Sequence, residues 1–250
     1  MTPARPHPIA ALVAMVVIWG YSWIVMKIAL RHAHPFDFAA WRVGLGSIFL
    51  FLLVKLMGRP LGLSGYRMAV ALGLMQVALF VGLSHFALLH AGPGKTSVLV
   101  FTMPFWMIVF AHFIIHERMR GAQWIAVALA FAGLTLIVAP WELTNLTGSL
   151  LAALSILHPH DPIRWNPEFL WTLAFSTILA TGIGWWLWTY VLSRTPAGIA
   201  GLNALGIPVV AVLASWLQLG ERPPPLELTG MLMIGIALAL LAWLGLRSGR

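Results

Sequence analysis

The chain has 250 residues, of which 60% are hydrophobic and only 9% are charged, and its mean hydropathy is +0.91. Soluble domains carry about 25% charged residues, so a water-soluble fold would lack the polar surface to cover itself. The net charge of +8 does not indicate a nucleic-acid partner, because the Lys and Arg residues stand singly between apolar runs. Cysteine is absent, which excludes disulfides, thiolate metal sites and a cysteine nucleophile.

Eight apolar segments are long enough to cross a bilayer as helices, which takes about 20 residues. They cover residues 9–30, 36–57, 67–89, 96–115, 122–140, 169–192, 198–219 and 226–246. The first is interpreted as a membrane span, because its apolar run continues to about Leu30 without the small-residue cleavage site of a signal peptide. Because the connections are short, consecutive helices are expected to be antiparallel neighbours in one all-α transmembrane bundle.

An internal repeat divides the chain. Sliding the sequence by 104 residues superimposes 94–118 on 198–222 without a gap. Pro104 then falls on Pro208, and Glu117 with its following arginine falls on Glu221 with its own. We therefore predict two repeats, residues 1–140 and 146–250. Residues 146–157 resemble the start of a further helix but are too short to span, so a segment is expected to be missing near residue 155.

The basic residues predict the orientation. With five helices in each repeat, the second copy enters the membrane inverted, as in many transporters. Counted for such a chain, nine Lys and Arg fall on the side of the termini: Arg5, Lys55, Arg59, Arg67, Arg118, Arg120, Arg194, Arg247 and Arg250. Four fall on the other side: Arg31, Lys95, Arg164 and Arg222. Because basic loops stay in the cytoplasm, both termini are predicted to be cytoplasmic.

Several of these features together resemble a known family. Trp19-Gly20 and Lys27 in the first helix, Trp41-Arg42 in the second, and the repeated glycine, proline and Glu-Arg frame resemble the drug/metabolite transporter superfamily, EamA type. With 13 tryptophans, the chain further resembles the aromatic amino-acid exporters of the YddG kind. The resemblance implies ten helices in two inverted five-helix repeats around a central cavity. It also implies export of amino acids or related metabolites across the bacterial inner membrane.

The acidic residues bear on the energy source. All seven lie in loops or at helix ends: Asp37, Glu117, Glu142, Asp161, Glu168, Glu221 and Glu227. Pumps and antiporters that keep an acid inside the membrane usually use it as a proton or cation relay. The pattern favours facilitated diffusion down a gradient, while His85 and His112 leave proton coupling open.

The candidate cavity residues are aromatic or uncharged polar side chains near mid-span. A flat apolar pocket with few polar groups suits an aromatic or aliphatic solute, although tryptophans are as typical of interfacial belts and of plain helix packing. An amide could bind a ligand's amino or carboxylate group, or instead make an interhelical hydrogen bond. The predicted set is Trp19, Trp23, Gln76, Phe80, Ser97, Phe101, Trp185 and Asn203.

The predicted hinges and gates are prolines and charged residues. Pro104 and Pro208 each remove a backbone donor and kink their helices at matching places in the two halves, which points to a transport site. Glu117 and Glu221 close those helices and either mark the membrane interface or act as gates.

Two basic residues, which are also candidate gate residues, lie inside predicted helices, near the outer end. Long basic side chains in such positions commonly extend to the interface, and this is the simplest interpretation of Lys27 and Arg42. Arg42 lies further inside its helix and could instead serve an outer gate or bind the carboxylate of a solute.

No cofactor or metal site is predicted. The segment 91–97 contains Gly-Lys-Thr, but Leu89 stands where a phosphate-binding loop needs glycine, and the sequence has no H-E-x-x-H motif. An intramembrane enzyme would need convergent Asp, His or Ser groups within the spans, which the sequence lacks, so an enzyme is not expected. The partners expected are the lipid bilayer and a small-molecule substrate. Export of drugs or quaternary ammonium compounds is the alternative, although such pockets usually gain from an acid.

Overall fold

The computed structural model describes residues 8–58, 65–73, 75, 80–90, 92–114, 116, 121–138, 161–194 and 206–248. Within these ranges the chain forms helices and no strands, which confirms the predicted all-α fold. The helices are α1 (Pro8–Ala29), α2 (Pro35–Leu56), α3 (Tyr66–Leu72), α4 (Phe80–His90), α5 (Pro93–Val100), α6 (Met103–Ile114), α7 (Gly121–Val138), α8 (Pro167–Leu192), α9 (Gly206–Leu219) and α10 (Pro225–Ser248). The short segment 146–157 lies outside the described residues.

In the described part of the chain, three helices are long and apolar enough to cross a membrane by length and composition: Ile9–Ala29, Pro35–Leu56 and Pro167–Leu192. Shorter apolar helices lie in α4, α7, α9 and α10. Large apolar side chains are exposed on the long helices as well as the short ones, among them Val13 and Val17 on α1 and Phe51 and Leu52 on α2. A bundle with such a surface is stable when hydrocarbon, rather than water, surrounds it.

Proline marks where several helices begin. Pro35, Pro93 and Pro167 occupy the first turn of α2, α5 and α8, where a missing backbone N–H costs nothing. At α8 the preceding Asn166 adds a side-chain cap, because its Oδ1 accepts from the Phe169 N–H at 2.7 Å. The predicted starts of these helices, at residues 36, 96 and 169, therefore agree with the structure to within about three residues.

The fourth predicted span is broken into two helices. The sequence predicts one kinked helix over 96–115, but α5 ends at Val100 and α6 begins at Met103. The Thr102 N–H donates to the Leu99 carbonyl at 3.1 Å, a tighter turn than an α-helix makes. Pro104 is the second residue of α6, so the break comes just before the proline, which could not have continued the α5 ladder.

Glycines mark the closest helix crossings. On α7 and α10, a Cβ atom on Gly133 would lie 2.6 Å from the Gly230 carbonyl oxygen, and one on Gly230 would lie 2.6 Å from the Gly133 oxygen. Between α1 and α9, a Cβ atom on Gly20 would lie 2.6 Å from Val210 Cγ1. Small residues of this kind let backbones approach in a membrane, where helices associate by close packing. Both crossings join the first half of the chain to the second.

The buried apolar core also joins helices of the first half of the chain to helices of the second half. One apolar cluster joins α1, α4, α8 and α9 through buried side chains such as Ile24, Leu88, Phe169 and Ile207. A second joins α5, α6, α7 and α10, and includes Ile137 and Ile234 on either side of the glycine crossing. Helix α1 therefore packs chiefly on α8 and α9, helices of the second half of the chain.

One end of the bundle gathers most of the described charges. The Lys27 ammonium near the end of α1 contacts the end of α4, and His32 Nε2 lies 2.7 Å from Glu168 Oε2 at the start of α8. At the start of α5, Lys95 forms a 2.7 Å ion pair with Glu227 at the start of α10. We call this the Lys95 end. The four basic residues that sequence analysis places outside all belong to it: Arg31, Lys95, Arg164 and Arg222.

Candidate functional site

A group of indole rings lies between α1 and α8. The ring of Trp19 contacts Trp185 edge-on, with centroids 5.5 Å apart, and lies 6.0 Å from Trp188. Trp19 Nε1 donates to the Ala180 carbonyl at 2.8 Å. The ring also lies directly against the backbone of Gly184, where a side chain would displace it. Two of the predicted cavity residues, Trp19 and Trp185, are thus in contact.

The acceptor of that bond belongs to a π-helical stretch of α8. Residues Phe175–Ile183 make the wider turn, between α-helical stretches Pro167–Ala174 and Gly184–Leu192. Within it, the Thr181 hydroxyl donates to the Ser176 carbonyl at 2.8 Å, five residues back. Such turns interrupt the regular backbone ladder and occur frequently at functional sites.

Arg42 of α2 reaches the next residue of the same stretch. Its Nε lies 3.4 Å from Thr181 Oγ1, and its Nη1 lies 2.8 Å from Met26 Sδ and 3.3 Å from His85 Nε2. His85 is buried in the bundle, and its Nδ1 lies 2.6 Å from the Val81 carbonyl. Three other helices therefore contribute to the surroundings of Arg42, which places its guanidinium inside the bundle. We call Trp19, Arg42, His85, Thr181 and Trp185 the Trp19–Arg42 group.

The remaining described cavity candidates lie elsewhere. Trp23 is buried in the apolar core of α1, and Phe101 packs between the two core clusters. Ser97 is fully buried, and its hydroxyl donates to the Gly94 carbonyl of its own helix at 2.8 Å. Phe80 begins α4 and is 37% exposed. Three predicted site residues lie outside the described residues: Gln76, Asn203 and Glu117.

The charged candidates near helix ends have defined partners. Glu221 accepts from the Ser215 hydroxyl at 2.8 Å, and its carboxylate lies against the backbone of Gly92. Together with the Lys95–Glu227 ion pair, this carboxylate lines a cleft of about 260 Å³ at the Lys95 end. Glycine at position 92 leaves room for the carboxylate, because a larger side chain would collide with it. The contacts hold α5, α9 and α10 together at this end.

Lys27 closes a helix end. Its ammonium donates to the carbonyls of Leu88 at 2.7 Å and Leu89 at 3.1 Å, in the last turn of α4. The last four carbonyls of a helix have no partner within it, and a cation there also opposes the negative end of the helix dipole. This position gives Lys27 a structural task that neither the interface nor the gate interpretation includes.

Replacing Lys27 with methionine should lower stability by about 1.5–3 kcal/mol, the usual contribution of hydrogen bonds to a charged group. Thermal unfolding of the detergent-purified protein measures the change. Lys55→Met is the matched control, since Lys55 is an exposed lysine in the last turn of α2. If Lys27→Met unfolds at the same temperature as Lys55→Met, Lys27 does not stabilise the end of α4.

Sequence reasoning missed the partners of Arg42. The sequence indicates His85 only as a group that could titrate, and Thr181 is not among the predicted site residues. A signal was present in the small polar residues Ser176, Thr177 and Thr181, which stand close together inside an otherwise apolar helix. Polar side chains at membrane depth commonly face the interior of a bundle.

Comparison with known proteins places these features in a family. The model described as the EamA-like transporter family matches residues 8–139 and again 143–243, and the second match is the shorter. No solved structure is significantly similar to the chain. The family-level resemblance drawn from the sequence is confirmed, while the likeness to the YddG kind of exporter stays a prediction.

Several relatives of this chain are transporters by name. It is 25% identical to the uncharacterized transporter YoaV of Bacillus subtilis, over 89% of this chain and 92% of that protein. An uncharacterized transporter of Archaeoglobus fulgidus is 22% identical over 90% of this chain and 95% of its own length. The riboflavin transporter of Rhizobium johnstonii is 28% identical over 80% of this chain and 63% of that protein.

Proposed function

The chain belongs to the EamA-like transporter family, a family of multi-pass helical membrane proteins, and we propose that it exports amino acids with aromatic or other apolar side chains and related metabolites. The observation that carries the substrate class is the contact of Trp19 with Trp185 and Trp188. Indole rings offer a flat apolar wall, which suits a flat or aliphatic side chain. We place the protein in the bacterial inner membrane.

Facilitated diffusion by alternating access is the proposed mechanism. Each carboxylate among the described residues lies in a connection or in the first turn of a helix: Asp37, Asp161, Glu168, Glu221 and Glu227. A proton or cation relay usually uses an acid held inside the membrane. The placement of these acids therefore supports a carrier that runs down the gradient of its solute.

Two inverted repeats, residues 1–140 and 146–250, are the proposed architecture. Two observations support it. The family matches the chain in two successive ranges, and α5, the first part of the predicted span 96–115, packs against α9, which lies in the matching span 198–219. Both termini are proposed to be cytoplasmic, so that the Lys95 end faces outward. Described basic residues at the opposite end are Lys55, Arg67 and Arg194, in agreement with that orientation.

Movement of α5 against α9 is the proposed switch between the two open states. Pro104 follows the break between α5 and α6, and Pro208 is the third residue of α9, so both could serve as hinges. Glu221, with the Lys95–Glu227 pair, is proposed as the outer gate, to which Glu117 would correspond at the inner side. Gln76 and Asn203 are retained as polar cavity residues.

Substrate counterflow in proteoliposomes tests the function. We expect wild-type protein to exchange labelled tryptophan or phenylalanine, and Trp19→Ala to raise the apparent KM about tenfold, because about 0.5–1.5 kcal/mol of aromatic contact and further buried area are lost. Trp19→Phe should retain most of the affinity. Trp186→Ala is the matched control, since that ring stacks on Tyr190 at 6.0 Å and not on Trp19.

Two results would contradict the proposal. Wild-type vesicles that exchange none of the twenty amino acids would remove the substrate class. An unchanged KM in Trp19→Ala would remove the indole wall from the site. Neither result would alter the membership of the family, which depends on the sequence match alone.

Riboflavin is the second candidate substrate. The 28% identity to the Rhizobium johnstonii riboflavin transporter favours it, and the flat ring system of riboflavin would also stack on indole rings. Counterflow of labelled riboflavin distinguishes riboflavin from amino acids as the substrate. Exchange that unlabelled riboflavin inhibits and unlabelled amino acids do not would favour riboflavin. Quaternary ammonium compounds are disfavoured, because none of the described carboxylates pairs with the Trp19–Arg42 group.

A further inference from the structure

Arg42 is a cation that has no strong partner among the residues that the structure describes. Among the described residues its neighbours are a thioether sulfur, one imidazole nitrogen and one hydroxyl, and none of the described carboxylates forms an ion pair with it. Thioether sulfur accepts hydrogen bonds only weakly, and a charge inside a membrane protein is costly unless it is compensated. The side chain is half-buried.

The hydrogen bonds of His85 orient the guanidinium. Its Nδ1 lies 2.6 Å from the Val81 carbonyl, which can only accept, so Nδ1 carries the proton. Nε2 is then left to accept from Arg42 Nη1 at 3.3 Å. The imidazole therefore holds one side of the guanidinium as a neutral acceptor and does not neutralise its charge.

The other edge of the guanidinium has spare donors. Nη2 has no acceptor within the described part of the chain, and Nε reaches Thr181 Oγ1 only at 3.4 Å, longer than a usual N–H···O bond. A carboxylate fits such an edge with two parallel hydrogen bonds. In the same stretch of α8, the hydroxyls of Ser176 and Thr177 are buried with no partner among the described residues. Buried hydroxyls usually have a hydrogen-bond partner, so a polar ligand or a water molecule could supply the partner at these two positions.

The cation and the indole wall are held by consecutive residues. Trp19 donates to the carbonyl of Ala180, and Arg42 contacts the hydroxyl of Thr181, whose Cα atoms are about 3.8 Å apart. On the following turns of α8, Trp185 and Trp188 contact Trp19. The cation and the indole wall are therefore anchored to the same stretch of α8, one residue apart.

We propose that the open edge of Arg42, held between Met26, His85 and Thr181, binds the carboxylate of the transported solute while Trp19 packs against its apolar side chain. The proposal rests on the transport function above and names the group that the site recognises. None of the described carboxylates belongs to the Trp19–Arg42 group, so none of them would pair there with the ammonium group of an amino acid. We therefore expect the site to recognise the acid group and not to require the ammonium group.

Binding to the full-length, detergent-purified protein tests the proposal first, with the unfolding temperature as readout. The probes are indole-3-propionate, tryptophan, tryptamine and inorganic phosphate. We expect the first two to stabilise the wild-type protein, and tryptamine, which lacks the carboxylate, to have no effect. Phosphate should also have none; equal stabilisation by phosphate would show a general anion or lipid-headgroup site and overturn the carboxylate assignment.

Variants of Arg42 supply the second comparison. Arg42→Gln should weaken binding of indole-3-propionate about 10- to 100-fold, as expected for losing charge-assisted hydrogen bonds. The affinity of Arg42→Lys for indole-3-propionate should lie between those of the wild type and Arg42→Gln. Lysine keeps the charge but cannot make the two parallel hydrogen bonds of a guanidinium. Arg194→Gln is the matched control at the far end of α8, where Arg194 stacks on Tyr190. If Arg42→Gln fails to fold, the comparison of tryptamine with indole-3-propionate on the wild-type protein still decides the question.

Counterflow separates this inference from the transport function. Amino-acid exchange that is unchanged in Arg42→Gln would overturn the carboxylate site and leave the function standing. Binding of indole-3-propionate that depends on Arg42, in a protein that exchanges no amino acid, would support the site and overturn the proposed substrate class.

Discussion

Oxidation of a Gly94→Cys/Val212→Cys double variant should lower the transport rate at least tenfold, and reduction should restore it. A Cβ atom on Gly94 of α5 would lie 3.5 Å from Val212 Cβ of α9, within the range that a disulfide requires. The same Cβ would lie 2.9 Å from Val212 Cγ2, and changing Val212 to cysteine removes that obstacle. Because the chain has no cysteine of its own, no other disulfide can form within it.

The size of the effect follows from the proposed switch. If α5 and α9 change their relative position during each cycle, a covalent bond between them holds the carrier in one state. Counterflow before and after reduction measures this on the same vesicles, and each single-cysteine variant under oxidising conditions is the control. Full transport by the oxidised double variant, with the disulfide verified by mass spectrometry, would show that α5 and α9 stay together throughout the cycle.

Replacing Gly230 with leucine should unfold or severely destabilise the bundle. A Cβ atom there would lie 2.6 Å from the Gly133 carbonyl oxygen and 2.8 Å from Ile137 Cγ1, so α7 and α10 would have to separate. Overpacking a well-packed contact costs about 1–3 kcal/mol and occasionally more, and here the obstacle is backbone, which cannot rotate away. We expect loss of at least about 3 kcal/mol, measured by thermal unfolding in detergent.

Gly235→Leu is the matched control for this prediction. It lies on the same helix, where a Cβ atom would meet nothing within 4 Å, and it is exposed. The same change in composition should therefore leave the unfolding temperature nearly unaltered. Equal stability of the two variants would mean that the glycine crossing does not hold α7 and α10 together.

The helices themselves could be predicted from the sequence because lipid imposes a length on them. Continuous apolar runs of about 20 residues, closed by proline or charged residues, gave α1, α2 and α8 nearly to the residue. The kink at the fourth span was also expected from Pro104. Its form, a break at Phe101 and Thr102, was not, because proline dictates only which hydrogen bond is missing and the surrounding packing decides how the chain bends.

The candidate site could be predicted only in part. The sequence predicts Trp19 and Trp185 as cavity residues, because both stand near mid-span in aromatic-rich helices, but it does not predict that their rings touch. The partners of Arg42 were not, since Met26, His85 and Thr181 come from three helices and no periodic pattern joins them. The π-helical stretch also has no distinct composition, although it sets which face of α8 carries Thr181.

The pairing of first-half helices with second-half helices has a consequence for biogenesis. Helices α1, α2 and α7 leave the ribosome long before α8, α9 and α10, against which they pack. At about 5–20 residues per second, the interval is on the order of ten seconds. During this interval, Gly20 and Gly133 contact lipid or the insertion machinery instead of their partner helices, and Arg42 lacks its contact with Thr181. Assembly in the bilayer must therefore be completed after synthesis of the last span, and a nascent chain stalled before α8 is a natural substrate for membrane quality control.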